Sequence, residues 1–168
     1  MAIINVSFII PVYNRPEEIN ELLNSFNNLE GNYDFEIVII EDGSNDSSEN
    51  IISKYSNDLN ISYFKKNNTG PGDSRNFGMK KAKGNYFIIL DSDCILPKDY
   101  LLNFFTNINH RYVDCFGGVD DSHHSFTSFQ KAVNFTMTSL ITTGGIRGGR
   151  SRHKSFQARS FNMGISKK

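Results

Sequence analysis

The sequence predicts one α/β domain built on a mostly parallel sheet with helices on both faces. Three observations lead there. Compact, mostly apolar runs with almost no alternation recur at Val6–Val12, Phe35–Ile40 and Tyr86–Leu90, the pattern of strands buried on both faces rather than one. Segments of helical period separate them, and nearly every run stops at a polar or turn-forming residue, so strands and helices alternate as in right-handed crossover units.

The first run ends at Tyr13-Asn14-Arg15-Pro16, and Pro16 suits the first position of a helix. Glu17 and Glu18 complement the positive end of that helix, and Ile19, Leu22, Leu23, Phe26 and Leu29 make its apolar stripe. The second run stops at Glu41-Asp42-Gly43-Ser44. A helix with Ile51, Ile52 and Tyr55 and a short strand over Ile61–Phe64 follow. After Gly70-Pro71-Gly72 a helix is expected from about Asp73 to Lys83, closed by Gly84 as a left-handed residue. The fourth run ends at Asp91-Ser92-Asp93. Pro97 and Lys98 then open a helix bearing Leu101, Leu102, Phe104, Phe105 and Ile108, before a strand near Val113–Phe116. Beyond Gly117 the regularity fades. Phe126, Phe129, Val133 and Met137 have loose helical spacing, a glycine- and arginine-rich loop near residues 143–154 reads as mobile, and Phe161–Ile165 begins a further strand.

A length of 168 residues accommodates one core, and 18 basic residues balance 18 acidic ones. No global field therefore favours nucleic acid. Cys94 and Cys115 lie outside any C-x-x-C spacing, which argues against a metal knuckle or redox pair. The opening apolar stretch is too short, and lacks the basic leader, for a signal peptide; no run reaches the length of a membrane helix. A cytoplasmic location is the expectation.

In an open parallel sheet, ligands sit beyond the carboxyl ends of the strands. Pro11, Tyr13, Asp42, Arg75, Asp91 and Asp93 all fall at those ends or in the loops leading from them. Asp91 and Asp93, on alternate residues after a buried strand, offer hard oxygen ligands to a Mg2+ or Mn2+ that also binds phosphate. The same triplet also suits capping and turn formation. Asp42 suits an acceptor for a uracil or thymine imide or, with Gly43, an ordinary turn; Tyr13 suits stacking on a base or packing. Arg75 suits paired hydrogen bonds to phosphate or a base edge, or a plain surface position. Arg75 also stands where a dinucleotide loop would need its third glycine, and no G-x-x-x-x-G-K-S/T loop exists. Asp120, Asp121, His123 and His124 form a polar cluster, read as a loop on the acceptor side rather than a metal site.

Taken together and in order, Val6-Ser-Phe-Ile-Ile-Pro-Val-Tyr-Asn14, Glu36-Ile-Val-Ile-Ile-Glu-Asp-Gly-Ser44, Asn68-x-Gly70 with Ser74-Arg-Asn-x-Gly78, Ala82-x-Gly84-x-Tyr86 and Leu90-Asp-Ser-Asp93 resemble the family 2 glycosyltransferases of the GT-A fold. The resemblance is closest over about residues 5–120, and Thr142–Gly148 and Ser160–Ser166 look like a bacterial branch. It implies a nucleotide-sugar-binding part over 1–117 and the start of an acceptor-side part over 118–168. It also implies a nucleotide-diphosphate donor, with a UDP-sugar preferred. Pro11, Tyr13, Asp42, Arg75 and Asp91 would hold the nucleoside, and Asp93, with Asp91, the metal. The sugar would pass by inverting displacement to a glycan or lipid-linked acceptor, in the service of cell-surface polysaccharide synthesis. Peripheral membrane association and self-association are both compatible with it. In the family the general base usually lies in a Glu-Asp pair after the segment matching Phe161–Ser166, and the sequence reaches Lys168 without one. The expectation is donor binding with weak or absent transfer, the alternative being a noncatalytic binding module.

Overall fold

The computed structural model describes residues 3–118, 127–138 and 162–167. Along the chain these form β1 (Val6–Val12), α1 (Pro16–Asn27), β2 (Phe35–Asp42), α2 (Glu49–Tyr55), β3 (Ile61–Lys66), α3 (Pro71–Lys81), β4 (Tyr86–Ile89), α4 (Tyr100–His110), β5 (Cys115–Gly117), α5 (Ser128–Thr138) and β6 (Met163–Ser166). They make one six-stranded sheet in the order β3-β2-β1-β4-β6-β5. β1 pairs in parallel with β2 and β4, and β2 with β3; β6 runs antiparallel to both β4 and β5. The mostly parallel α/β architecture expected of a GT-A domain is present.

Every residue of β1 is buried, and its two faces feed two cores. Val6, Phe8, Ile10 and Val12 join Ile19, Leu22 and Phe26 of α1, Ile52 of α2 and Leu101, Phe104 and Ile108 of α4. Ile9, on the opposite face, joins Val38, Ile40, Phe87 and Ile89, with Phe77 and Met79 of α3 packed against them. The strand period of two thus sorts alternate side chains between α1, α2 and α4 on one side and α3 on the other.

Four boundaries differ from expectation for local physical reasons. α3 begins at Pro71, two residues early, because proline tolerates the first turn where its missing N–H is not needed. α4 begins only at Tyr100; Asp99, not Lys98, is its N-cap, and the Asp99 carbonyl accepts from Asn103 N at 2.9 Å. The strand expected at Val113–Phe116 is the shorter Cys115–Gly117. The strand over Phe161–Ile165 is Met163–Ser166, and it inserts between β4 and β5. Gly84 is not the left-handed cap, since it lies outside the positive-φ region. Its amide instead donates to Ser7 Oγ at 2.9 Å and to the buried Glu36 Oε1 at 3.1 Å. A Cβ there would collide with Ser7 Oγ and lie 2.5 Å from the Asn5 carbonyl oxygen. Gly84 is therefore needed for close approach, not for a turn.

Replacing Gly84 with alanine should destabilise the chain by about 1–3 kcal/mol, the usual cost of overpacking a tight site. Urea unfolding measures this; a change below about 0.5 kcal/mol, the scatter of neutral surface substitutions, would mean the contact relaxes freely.

Candidate functional site

The chain leaves β1 for β2 and β3 on one side of the sheet and returns to β4 on the other. That reversal makes loops and helix N-termini diverge at the carboxyl ends of β1 and β4, opening a crevice. A cleft of about 360 Å³ lies there, lined by Pro11, Val12, Tyr13, Arg15, Asp42, Pro71, Arg75, Asp91, Ser92 and Asp93. All six residues singled out for nucleotide or metal binding, Pro11, Tyr13, Asp42, Arg75, Asp91 and Asp93, share this one cleft.

The loop after β1 is latched to the loop after β2. Asn14 adopts a positive φ of 52°, which asparagine tolerates better than most residues. Its Oδ1 accepts from Asn45 N at 2.8 Å and Asp46 N at 3.1 Å, while its own amide donates to Ser44 Oγ at 2.8 Å. Ser44 Oγ in turn donates to Glu41 Oε1. Glu41, only 3% exposed, also accepts from Ser48 N at 2.8 Å and from the Tyr63 hydroxyl at 3.0 Å. Burial, with the adjacent Glu41 charge, pushes the Tyr63 hydroxyl up to about 12, so it stays a donor. Gly43 makes the turn possible with φ of 74°, and a Cβ there would sit 2.6 Å from Asn68 N. This latch leaves Tyr13 about half exposed at the cleft wall.

Asp42 is enclosed by its own cradle. Oδ1 accepts from Lys66 Nζ at 2.5 Å and from Thr69 N at 3.0 Å, and Oδ2 accepts from Gly70 N at 2.9 Å. Burial works to raise the Asp42 pKa, but Lys66 and the Thr69 amide outweigh it and hold the carboxyl below its usual value. Lys66 also bonds Thr69 Oγ1 and lies 3.2 Å from Asp73 Oδ2, closing the loop from β3 into α3.

Arg75 Nη2 donates to Asp91 Oδ1 at 2.7 Å. Arg75 Nε is buried without a hydrogen-bond partner among the described residues. Arg15 Nη1 reaches Asp93 Oδ2 at 3.2 Å and Glu18 Oε1 at 3.5 Å. Each acidic side chain of the cleft thus has a basic partner. Among the described residues no group of three or more histidine, cysteine or carboxylate side chains could hold a metal by itself. The carboxylates of Asp91 and Asp93 are hard oxygen donors, the chemistry that a divalent cation such as Mg2+ or Mn2+ would need.

Sequence reasoning passed over Arg15, Lys66 and Glu41. Lys66 at the end of β3 was the one accessible signal, being a strand-terminal charge like Asp42 and Asp91. Asp120, Asp121, His123, His124 and the 143–154 loop lie outside the described residues.

Because folding lowers the Asp42 pKa below 3.8, its ionised form stabilises the fold fully above that pH. The contribution is lost as pH falls through the lower, folded value. Asp42→Asn should therefore flatten the acid limb of the stability curve. Urea midpoints compared from pH 6 downward test this; parallel acid limbs in the two proteins would show that Asp42 does not contribute.

Comparison with known proteins gives this cleft its context. The family model described as Glycosyl transferase family 2 matches residues 7–167. Poly(ribitol-phosphate) beta-N-acetylglucosaminyltransferase TarS of Staphylococcus aureus is 36% identical over 111 residues, 64% of this chain but 19% of that protein. Abequosyltransferase RfbV of Salmonella typhimurium is 42% identical over 100 residues, 57% of this chain and 30% of that one. The chain thus spans less than a third of the length of these relatives. The crystal structure of S. aureus TarS 1-349 in complex with UDP-GlcNAc superposes with a TM-score of 0.67 at 31% identity, covering 73% of this chain and 36% of that one. With a mostly parallel sheet whose loops meet in one acidic and arginine-lined cleft, and a family match over nearly its whole length, this chain belongs to glycosyl transferase family 2.

Proposed function

We propose that the cleft holds the nucleoside diphosphate of a nucleotide-sugar donor, a UDP-sugar in the first instance, for transfer of the sugar to a glycan or lipid-linked acceptor. One observation carries this reading: residues from four separate segments, Pro11 and Tyr13, Asp42, Arg75, and Asp91 with Asp93, line a single cleft in a family 2 chain. The UDP-GlcNAc in the similar TarS structure supports the choice of donor.

Tyr13 supplies a ring face for the base, and Asp42 an acceptor whose orientation Lys66 and two amides already hold. Arg75 brings a buried Nε without a partner among the described residues, a donor whose desolvation a ligand oxygen would offset. Asp91 and Asp93 are the residues that would hold Mg2+ or Mn2+. The chemistry such an ion supplies is neutralisation of the charge that develops on the departing nucleoside diphosphate. The protein's own part is to keep these groups oriented beforehand, so that little reorganisation accompanies the step. Inverting displacement also needs a carboxylate base for the acceptor hydroxyl. Among the described residues only Asp42, Asp91 and Asp93 bring carboxylates to the cleft, and each is held by a cation. We therefore assign none of them that role.

Calorimetric titration with uridine, thymidine, cytidine and guanosine diphosphates, with and without Mn2+, tests the reading. UDP should bind, more tightly with Mn2+, and Tyr13→Ala should weaken it by about 1–3 kcal/mol, the usual worth of base stacking on an aromatic ring. Asp93→Asn should abolish the Mn2+-dependent part of the affinity while leaving the metal-free part. Absence of UDP binding, or a metal effect that survives Asp93→Asn, would overturn the assignment. Donor turnover distinguishes an enzyme from a binding module.

A further inference from the structure

Arg15 has no part in the reading above, yet its guanidinium lines the cleft and contacts the carboxylate proposed to hold the metal. The residue sits at the N-cap of α1, fixed from behind by Pro16 and by its own carbonyl, which accepts from Ile19 N at 3.2 Å. Its side chain projects into the cleft, where Nη1 lies 3.2 Å from Asp93 Oδ2 and 3.5 Å from Glu18 Oε1. Asp93 and Arg15 are both about half exposed, at 55% and 49%. An exposed pair of this kind is worth little, so it exchanges partners readily. The same oxygen is therefore open to two kinds of positive charge, a guanidinium from the protein and a divalent cation from solution.

Resting on the proposed function, we infer that Arg15 is an exchangeable counter-ion: it competes with the divalent cation for Asp93, and when the cation takes that carboxylate its guanidinium turns to the diphosphate of the donor. The geometry favours this in three ways. Arg15 keeps Glu18 as a second partner, so leaving Asp93 does not strand it. It precedes the first turn of α1, where Glu17 and Glu18 already offset the positive helix end, so the guanidinium and not the helix is what draws an anion there. A guanidinium presents its donors in a fork that matches phosphate oxygens. Arg75, the other arginine of the cleft, is less free to do this. It is only 15% exposed and is held at 2.7 Å by Asp91.

The consequence is opposite in sign for the two ligands. Removing the Arg15 charge should tighten the metal alone and weaken the diphosphate alone. A purely structural role for Arg15 would move both in the same direction or neither. The test measures Mn2+ affinity of the chain without nucleotide, by the EPR signal of free Mn2+, and UDP affinity in EDTA, by calorimetry, for the wild type, Arg15→Gln and Arg15→Lys. Arg15→Gln should bind Mn2+ about two- to five-fold more tightly, the range expected when an exposed pair is removed, and UDP in EDTA several-fold more weakly. Arg15→Lys, which keeps the charge but not the fork, should stay near the wild type for Mn2+ and fall between the wild type and Arg15→Gln for UDP. The Mn2+ gain should shrink in high salt, which screens exposed charges, and should vanish in the Asp93→Asn background.

Unchanged or weakened Mn2+ binding by Arg15→Gln would overturn the competition, and undiminished UDP binding in EDTA would overturn the diphosphate role. Either failure leaves the proposed function standing if the wild type still binds UDP with Mn2+ through Asp93. If the wild type binds neither UDP nor Mn2+, both readings fall together.

Discussion

The arrangement depends on β1 being buried along its whole length and on both faces. A strand with no polar side must be covered twice, and the helices that cover it can follow only crossover connections between parallel strands. β1 is hydrogen-bonded to β2 on one side and β4 on the other, and the chain reaches these neighbours in opposite directions from it. The crevice is the geometric result of that reversal. Pro11 and Tyr13 at the end of β1 stand at its centre, with Asp42 to one side and Asp91 to the other. Location of the cleft is thus a property of the apolar residues, and its chemistry a property of the polar ones that end each strand.

Those polar residues are costly to bring together. Three carboxylates meet in a small volume, and Asp42 is nearly fully buried. Uncompensated, such a group would shed its charge. The structure compensates each one differently. Asp42 receives an ammonium and two amides, Asp91 an arginine, and Asp93 a more exposed arginine at longer distance. The gradient runs from a carboxylate fixed by the fold to one that is readily drawn into other pairings. Glu41 stands outside this series: its three hydrogen bonds hold the loop after β2 and bring no acid to the cleft lining.

Much of this was legible in the sequence because it is local. Mostly apolar runs identify the buried strands, and a polar residue just past each run is the one that reaches the crevice. Asp42 and Asp91 could be placed on one edge for that reason alone. What was not legible is long-range. Arg15 meets Asp93 across 78 positions, Lys66 meets Asp42 across 24, and the Gly84 amide meets Ser7 across 77. No spacing within a segment encodes such pairs. Gly84 shows the limit well: its position after a helix suggested a left-handed cap, whereas backbone packing against Asn5 is what excludes a side chain. Insertion of β6 between β4 and β5 was hidden for the same reason, since a strand of four residues carries no mark of its neighbours.

The hydrogen-bond count at Asp42 bears on which base the proposed site would select. A carboxylate offers roughly four lone-pair positions, and Lys66, Thr69 and Gly70 occupy three of them. At most one acceptor position remains, beside the fully buried Ser74 hydroxyl, which also helps to lower the Asp42 pKa and which a base N–H would have to displace. An acceptor suits a ring N–H, which uracil, thymine and guanine carry and which cytosine and adenine, bearing a bare ring nitrogen at the equivalent place, do not. Presenting such a nitrogen to Asp42 would set acceptor against acceptor in a buried setting, where an unmade hydrogen bond costs the most. Lys66 sharpens the distinction. Against the effect of burial, and together with the Thr69 amide, it keeps Asp42 ionised, so the carboxyl carries no proton with which to turn donor and accommodate the wrong base. Selection against cytosine and adenine would then rest on the Asp42 contact and on a lysine, outside the cleft lining, that helps to fix its charge and direction.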